Sequence, residues 1–291
     1  MSGSRRPDWH TGANRVSPIK RLRRLRPRAR PRFKGPSFNR IVPNLLTLIG
    51  LCAGLTSMRF ALEGRFGSAA VAIMVAGAID GLDGRLARLL NATTRFGAEF
   101  DSLTDFLCFG VAPAFTLYLW SLQRAGGFGY TPCLIFSVCM ALRLARFNAS
   151  LDAGPGPAYA YNFFTGVPAP AGAGLALFPL FVGLEAKSVG LDWLLAVVQY
   201  PLVCAFVLVG VALLLVSTLP IWSFKNFKVR HEYVLPMYLG AGTFAAVLVA
   251  DPWAALAVGD VIYLGMLPFS VRSFRRLRRE AEDIRDVADA E

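Results

Sequence analysis

Eight apolar stretches punctuate the chain, at 41–62, 67–88, 97–121, 128–147, 165–185, 195–219, 232–250 and 253–271. Most run close to 20 residues. A helix rising about 1.5 Å per residue needs about 20 residues to cross a hydrocarbon core of about 30 Å. The pattern therefore predicts an all-α fold: a polytopic integral membrane helical bundle with about eight transmembrane helices. The third and fourth stretches open on polar residues, so their purely apolar parts are shorter. A count of six would drop the last pair, but both of its members are long and apolar.

Composition agrees: the mean hydropathy is +0.47 and 55% of residues are hydrophobic, which excludes an ordinary soluble domain. Charge adds orientation. Of the 31 Lys and Arg, only Arg59, Arg65, Arg124 and Lys187 fall toward one side; the other 27 fall toward the opposite side. The positive-inside bias makes that richer side the cytoplasm and requires both termini to be cytoplasmic. Three regions follow. Residues 1–40 form a basic arm with 13 Lys or Arg, largely disordered or juxtamembrane, suited to anionic membrane lipids. No aromatic or folded module accompanies this charge, so nucleic acid is not an expected partner. Residues 41–271 form the transmembrane domain. Residues 272–291 form a charged cytoplasmic tail, expected as a short helix lying on the membrane surface. The five cysteines lie in or near apolar spans without paired spacing and read as packing residues.

One stretch breaks the apolar pattern. DGLDGRLARLLNATTRFGAEFDSLTD, residues 80–105, sets Asp80 and Asp83 at the end of one apolar run and Asp101 and Asp105 at the start of the next. Spacings of three and four put each pair on one helix face. The pairs are also mirrored about position 92, so a hairpin turning at 91–94 brings Asp83 level with Asp101 and Asp80 level with Asp105. Unpaired carboxylates at membrane depth cost several kcal/mol each. Four together call for cations, and hard oxygen donors suit Mg²⁺ or Mn²⁺, with Ca²⁺ also compatible, as one or two ions. No His or Cys stands beside them to suggest zinc. Mg²⁺ held by a few carboxylates commonly shares its shell with substrate phosphates. Ala76, Gly77, Gly81, Gly84 and Ala87 give the second helix a small-residue face, which serves either helix packing or the close approach of a ligand. Arg88 is placed to meet a phosphate at the mouth of the cleft.

Asp83-Gly84-x-x-Ala87-Arg88, then eight residues, then Gly97-x-x-x-Asp101-x-x-x-Asp105, with Asp80 preceding, resembles the signature of the CDP-alcohol phosphotransferases. Pro43-Asn44 at the opening of the first span and the short loop joining spans two and three are similar too. The resemblance implies transfer of a phosphatidyl group from CDP-diacylglycerol to an alcohol, with release of CMP. It implies that Asp80, Asp83 and Asp101 are metal ligands, and that Asp105 completes a two-metal site or is the catalytic base. Asn44, Gly84, Ala87, Arg88 and Gly97 would bind CDP-diacylglycerol. A homodimer is implied, in the bacterial inner membrane, with the active site facing the cytoplasm.

The acceptor is read elsewhere. The fourth span ends ALRLARFNAS, with Arg143 and Arg146 one turn apart and Asn148 beside them. Two arginines in an apolar helix need partners, either lipid headgroups and helix-end carbonyls or an anion in an acceptor pocket. The next segment, NFFTGVPAPAGAG, has prolines and glycines that suit irregular backbone lining a cavity. RLARFN and GVPAPAG together resemble the phosphatidylserine synthase branch of the family, which implies L-serine as acceptor. Glycerol 3-phosphate is the alternative acceptor, since paired arginines suit a phosphate equally. A divalent-cation transporter is the alternative of another class, but such sites sit between repeated halves near the midplane, and Asp260 is the sole acidic counterpart in the later spans.

Overall fold

A computed structural model describes residues 38–90, 92–152, 163–222 and 234–288. The basic arm up to residue 37, Asn91, and Lys225, Lys228 and Arg230 lie outside the described residues.

The first hairpin is α1 (Phe38–Leu62) and α2 (Phe66–Leu89). The return leg is α3 (Arg95–Asp105), a π-helical turn over Phe106–Val111 and α4 (Ala112–Trp120), together one 26-residue span. A 3₁₀ segment, Leu122–Gly129, leads into α5 (Tyr130–Asp152). Then come β1 (Phe163–Thr165), α6 (Ala169–Val189), α7 (Asp192–Val198), α8 (Pro201–Val216), β2 (Pro220–Trp222), α9 (Val234–Ala250) and α10 (Pro252–Ala288).

Every predicted stretch coincides with helix, but the lengths differ from expectation. Among the described residues six helices are long and apolar enough to cross a membrane. The sixth stretch, expected unbroken over 195–219, is bent by 54° between α7 and α8. Pro201 lacks an N–H and forces Tyr200 out of the helical region, to φ −69° and ψ 128°. Counting this pair as one span gives seven. The seventh stretch is α9, whose 17 residues rise about 25 Å, at the short end of what a crossing needs.

Two further features depart from the sequence reading. β1 and β2 form a small antiparallel ladder with Phe163 opposite Trp222, Phe164 opposite Ile221 and Thr165 opposite Pro220. The tail expected as a separate surface helix instead continues α10, which runs 37 residues to Ala288. Nothing interrupts it at 272, because RSFRRLRREAED contains good helix formers and no Pro or Gly.

Local chemistry explains the remaining boundaries. Thr94 caps α3, its hydroxyl accepting from Gly97 N–H at 3.0 Å. Gly190, at φ 79°, ends α6 in the left-handed conformation. The core lies where α2, α4, α5, α6 and α8 meet, around Phe109, Leu117, Phe136, Leu177 and Phe181, all buried. The exterior is apolar as well: Phe206 is 80% and Val249 87% exposed. A lipid-facing surface accounts for both. The most extensive helix contact is α1 against α2, and it holds the functional end of the molecule together.

Candidate active site

α1, α2 and α3 converge on a cavity. Asp80 and Asp83 project from α2, Asp101 and Asp105 from α3, and all four line it. The mirrored spacing takes physical form here: the Asp80 and Asp105 side chains meet at hydrogen-bond distance. Two carboxylates that close must share a proton or a cation. One oxygen each from Asp80, Asp101 and Asp105 lies within 4.8 Å of the other two. Asp83 stands slightly apart. It is 4% exposed, and its Oδ2 accepts from the Thr47 hydroxyl at 2.7 Å.

The floor is apolar. Gly50 and Ala76 form one wall, Cys108 and Phe109 the other. The last two lie in the π-helical turn that follows Asp105 directly, a device that re-aims the residues after it. Cys108 Sγ donates to Gly50 O at 3.5 Å, and a side chain on Gly54 would collide with the same sulfur. The cavity measures about 10 Å³ for the centre of a water-sized body, which is room for one small occupant.

These residues fit a divalent cation. Around a six-coordinate ion with metal–oxygen bonds of about 2.1 Å, neighbouring ligand atoms lie about 3 Å apart and opposite ones about 4.2 Å. The three carboxylate oxygens, within 4.8 Å of one another, stand close to that spacing, and small side-chain rotations would close the difference. The donors are all hard oxygens, which suits Mg²⁺, Mn²⁺ or Ca²⁺. Thr104 adds an independent sign: it lines the cavity, and its buried hydroxyl has no hydrogen-bond partner among the described residues.

The rest of the sequence motif surrounds this centre. A Cβ on Gly97 would come 2.9 Å from Asn44 Oδ1 and 3.1 Å from Thr94 Oγ1, so the glycine admits Asn44 from α1 against the start of α3. Along α2 the small residues divide. Gly77 faces Phe109, its Cβ position 3.5 Å from the ring, so it serves packing. Among the described residues nothing lies within 4 Å in front of Gly81, and in front of Gly84 only the Arg88 guanidinium does, at 4.0 Å. These two border open space. Arg88 is exposed and folds back so that Nε donates to Gly84 O at 3.1 Å.

The second constellation lies at the end of α5. Arg143 is within charge–charge range of Asp105, and its Nε donates to Val167 O just before α6. Asn148 Nδ2 donates to Ser102 Oγ at 2.9 Å, beside Asp101. Asn148 thus ties α5 to the aspartate helix, and Arg143 ties it to the start of α6. Arg146 points elsewhere: Nη1 donates to Val216 O at 2.8 Å, and Nη2 to Ser217 O at 3.1 Å and Leu215 O at 3.4 Å. It thereby caps the carbonyl end of α8 from a neighbouring helix. Gly166 permits this. At φ 79°, its Cβ position is 2.8 Å from Ser217 O and 2.9 Å from Arg146 Nη2, so no side chain fits there.

Thr47 and Thr104 were missed by the sequence reading. Each is a hydroxyl one turn from a motif residue, Thr47 three after Asn44 and Thr104 three after Asp101. That spacing was the available signal.

Comparison with known proteins places these residues in context. A family model described as CDP-alcohol phosphatidyltransferase matches residues 40–205, and one described as CDP-alcohol phosphatidyltransferase 2 matches residues 232–268. The chain is 39% identical over 244 residues to a protein of Mycobacterium tuberculosis (strain CDC 1551 / Oshkosh) named CDP-diacylglycerol–serine O-phosphatidyltransferase, covering 83% of this chain and 82% of the relative. A protein of the same name from Helicobacter pylori (strain 26695) is 34% identical over 224 residues, 77% of this chain and 88% of its own length. An archaetidylserine synthase of Methanothermobacter thermautotrophicus is 28% identical over 183 residues, 61% of this chain and 68% of its own.

Proposed function

This chain belongs to the CDP-alcohol phosphatidyltransferase family, and we propose that it transfers the phosphatidyl group of CDP-diacylglycerol to the hydroxyl of L-serine, giving phosphatidylserine and CMP. The observation that carries the chemistry is the meeting of Asp80, Asp101 and Asp105 oxygens within 4.8 Å in a membrane helix bundle. The mycobacterial and Helicobacter relatives support the choice of acceptor.

Asp80, Asp101 and Asp105, with Asp83 beside them, would hold one or two Mg²⁺ or Mn²⁺ ions. Bound there, a divalent ion supplies charge neutralisation for the pyrophosphate and the departing CMP. Thr47 fixes the Asp83 carboxylate by its hydrogen bond. Asp105, the carboxylate within charge range of Arg143, takes the proton of the attacking hydroxyl. Asn44, Gly84, Ala87, Arg88 and Gly97 bind the cytidine diphosphate, which lies along the open glycine face of α2. The apolar floor of Cys108 and Phe109 keeps water from the donor.

On the acceptor side, Arg143 binds the serine carboxylate, Asn148 steadies the approach to Asp101, and Arg146 holds the frame that carries Arg143. With Arg146 donating to three helix-end carbonyls, the paired-arginine phosphate site that glycerol 3-phosphate would want is weakened.

The wider reading is an eight-helix chain with both termini cytoplasmic, the α9–α10 pair completing the even count, and the site on the cytoplasmic face of a bacterial inner membrane. The basic arm contacts anionic lipid, residues 41–271 form the catalytic domain, and two copies associate. Incubating purified protein with CDP-diacylglycerol, Mn²⁺ and single acceptors tests the central claim. Serine should give phosphatidylserine and stoichiometric CMP. Turnover with glycerol 3-phosphate in preference to serine would refute the acceptor assignment, and no CMP with any acceptor would refute the reaction.

A further inference from the structure

The last long helix carries two buried polar atoms that nothing among the described residues satisfies. Asp260 Oδ2 and Tyr263 Oη on α10 are both shielded from solvent, and among the described residues neither makes a hydrogen bond. They stand three apart, one turn along one face. Asp260 packs against α6 at Gly174, where a Cβ would come 3.3 Å from Asp260 Oδ1. Tyr263 lies within charge–charge range of Arg143, which lies within the same range of Asp105. Arg143 therefore stands between the aspartate cavity and Tyr263 of α10, with Asp260 one turn away along that helix.

Orphaned polar atoms inside a helix bundle are costly in water and more so within a bilayer. A carboxylate with no cation beside it is the most costly of them. Where such atoms cluster toward a known site, a ligand that satisfies them is the economical explanation. An amino-acid acceptor has the matching charges. Its acid group needs donors, which the Arg143 guanidinium and a phenolic O–H supply. Its ammonium needs an acceptor, preferably anionic. Glycerol 3-phosphate would leave Asp260 facing nothing.

We propose that Tyr263 and Asp260 complete the acceptor pocket, the Tyr263 hydroxyl joining Arg143 on the acceptor's carboxylate and Asp260 receiving its ammonium. This rests on serine being the acceptor, and it assigns selectivity for an α-amino acid to a helix outside the aspartate motif.

The test compares serine with 3-hydroxypropionate, which keeps the hydroxyl and the carboxylate and lacks the ammonium. Serine is measured as substrate and 3-hydroxypropionate as substrate or competitive inhibitor, in wild type, Asp260→Asn and Tyr263→Phe. Asp260→Asn should raise the serine KM about tenfold or more, the loss of one charge-assisted contact, and leave 3-hydroxypropionate affinity unchanged. Tyr263→Phe should weaken both ligands by a similar factor. The CDP-diacylglycerol KM should not move in either variant. Equal weakening of serine and 3-hydroxypropionate by Asp260→Asn, or an unchanged serine KM, would overturn the proposal. If Asp260→Asn does not fold, Asp260→Glu and Gly174→Ala displace the same carboxylate, and the same selective loss of serine is required of them. Failure of the underlying reading looks different: wild type would then prefer an acceptor without an ammonium.

Discussion

The two ends of this bundle proposed to take donor and acceptor are built in opposite ways. The donor end is nearly local. Asp80, Asp83, Asp101 and Asp105 fall within 26 consecutive residues, and one short turn brings them together. The proposed acceptor end is assembled from afar: Arg143 from α5, Val167 before α6, the carbonyls of Leu215, Val216 and Ser217 at the end of α8, and Tyr263 from α10. A local site can be reshaped only by changing its own residues, whereas a dispersed one can be changed through any supporting element. On this view the reaction is fixed in the hairpin and the choice of acceptor is left to the rest of the fold.

Variants at the two ends should therefore separate cleanly. The largest effect is expected at the hairpin: Asp101→Asn should lower CMP release about a thousandfold or more and weaken Mn²⁺ binding measured by electron paramagnetic resonance. Unaltered Mn²⁺ binding would remove Asp101 from the metal shell. Gly97→Ala forces a methyl to within 2.9 Å of Asn44 Oδ1, and an ångström-scale displacement there should cost about 10- to 100-fold, mostly in the CDP-diacylglycerol KM. At the other end, Arg143→Ala should raise the serine KM about tenfold or more and spare the donor KM. Arg146→Ala should instead appear in thermal denaturation, since unpaired helix-end carbonyls cost about 1–3 kcal/mol. If Arg146→Ala raises the serine KM selectively with no loss of Tm, that division of labour is wrong. Thr47→Val frees the Asp83 carboxylate and should reduce kcat about threefold to tenfold, the worth of about one hydrogen bond. Smallest of all, removal of residues 1–30 should leave turnover in detergent within about twofold, because the arm carries no site residue.

The same contrast decides what could be read from sequence. The aspartate pattern was legible because helix periodicity and a mirrored interval fully specify a hairpin, and the structure brings Asp80 and Asp105 into contact as that interval requires. The π-helical turn at Phe106–Val111 was not, since its extra residue is fixed by packing against α5 and α6 and leaves no compositional mark. The bend between α7 and α8 was visible in Pro201, yet a long apolar run outweighed it. The β1–β2 ladder pairs residues more than 50 positions apart, and nothing in either three-residue segment announces the other. Arg143 and Arg146 looked equivalent at one-turn spacing; only the position of the α8 carbonyls tells them apart.

The uncrowded flank of α2 at Gly81 and Gly84 has a consequence for how substrates arrive. The donor is an amphiphile confined to the bilayer, while serine and CMP dissolve in water, so a single cavity must be served from two phases. Turnover should then track the mole fraction of donor in the surrounding lipid rather than its bulk molarity, and diluting a mixed micelle with inert detergent should slow the enzyme even when the total amounts of enzyme and both substrates stay constant.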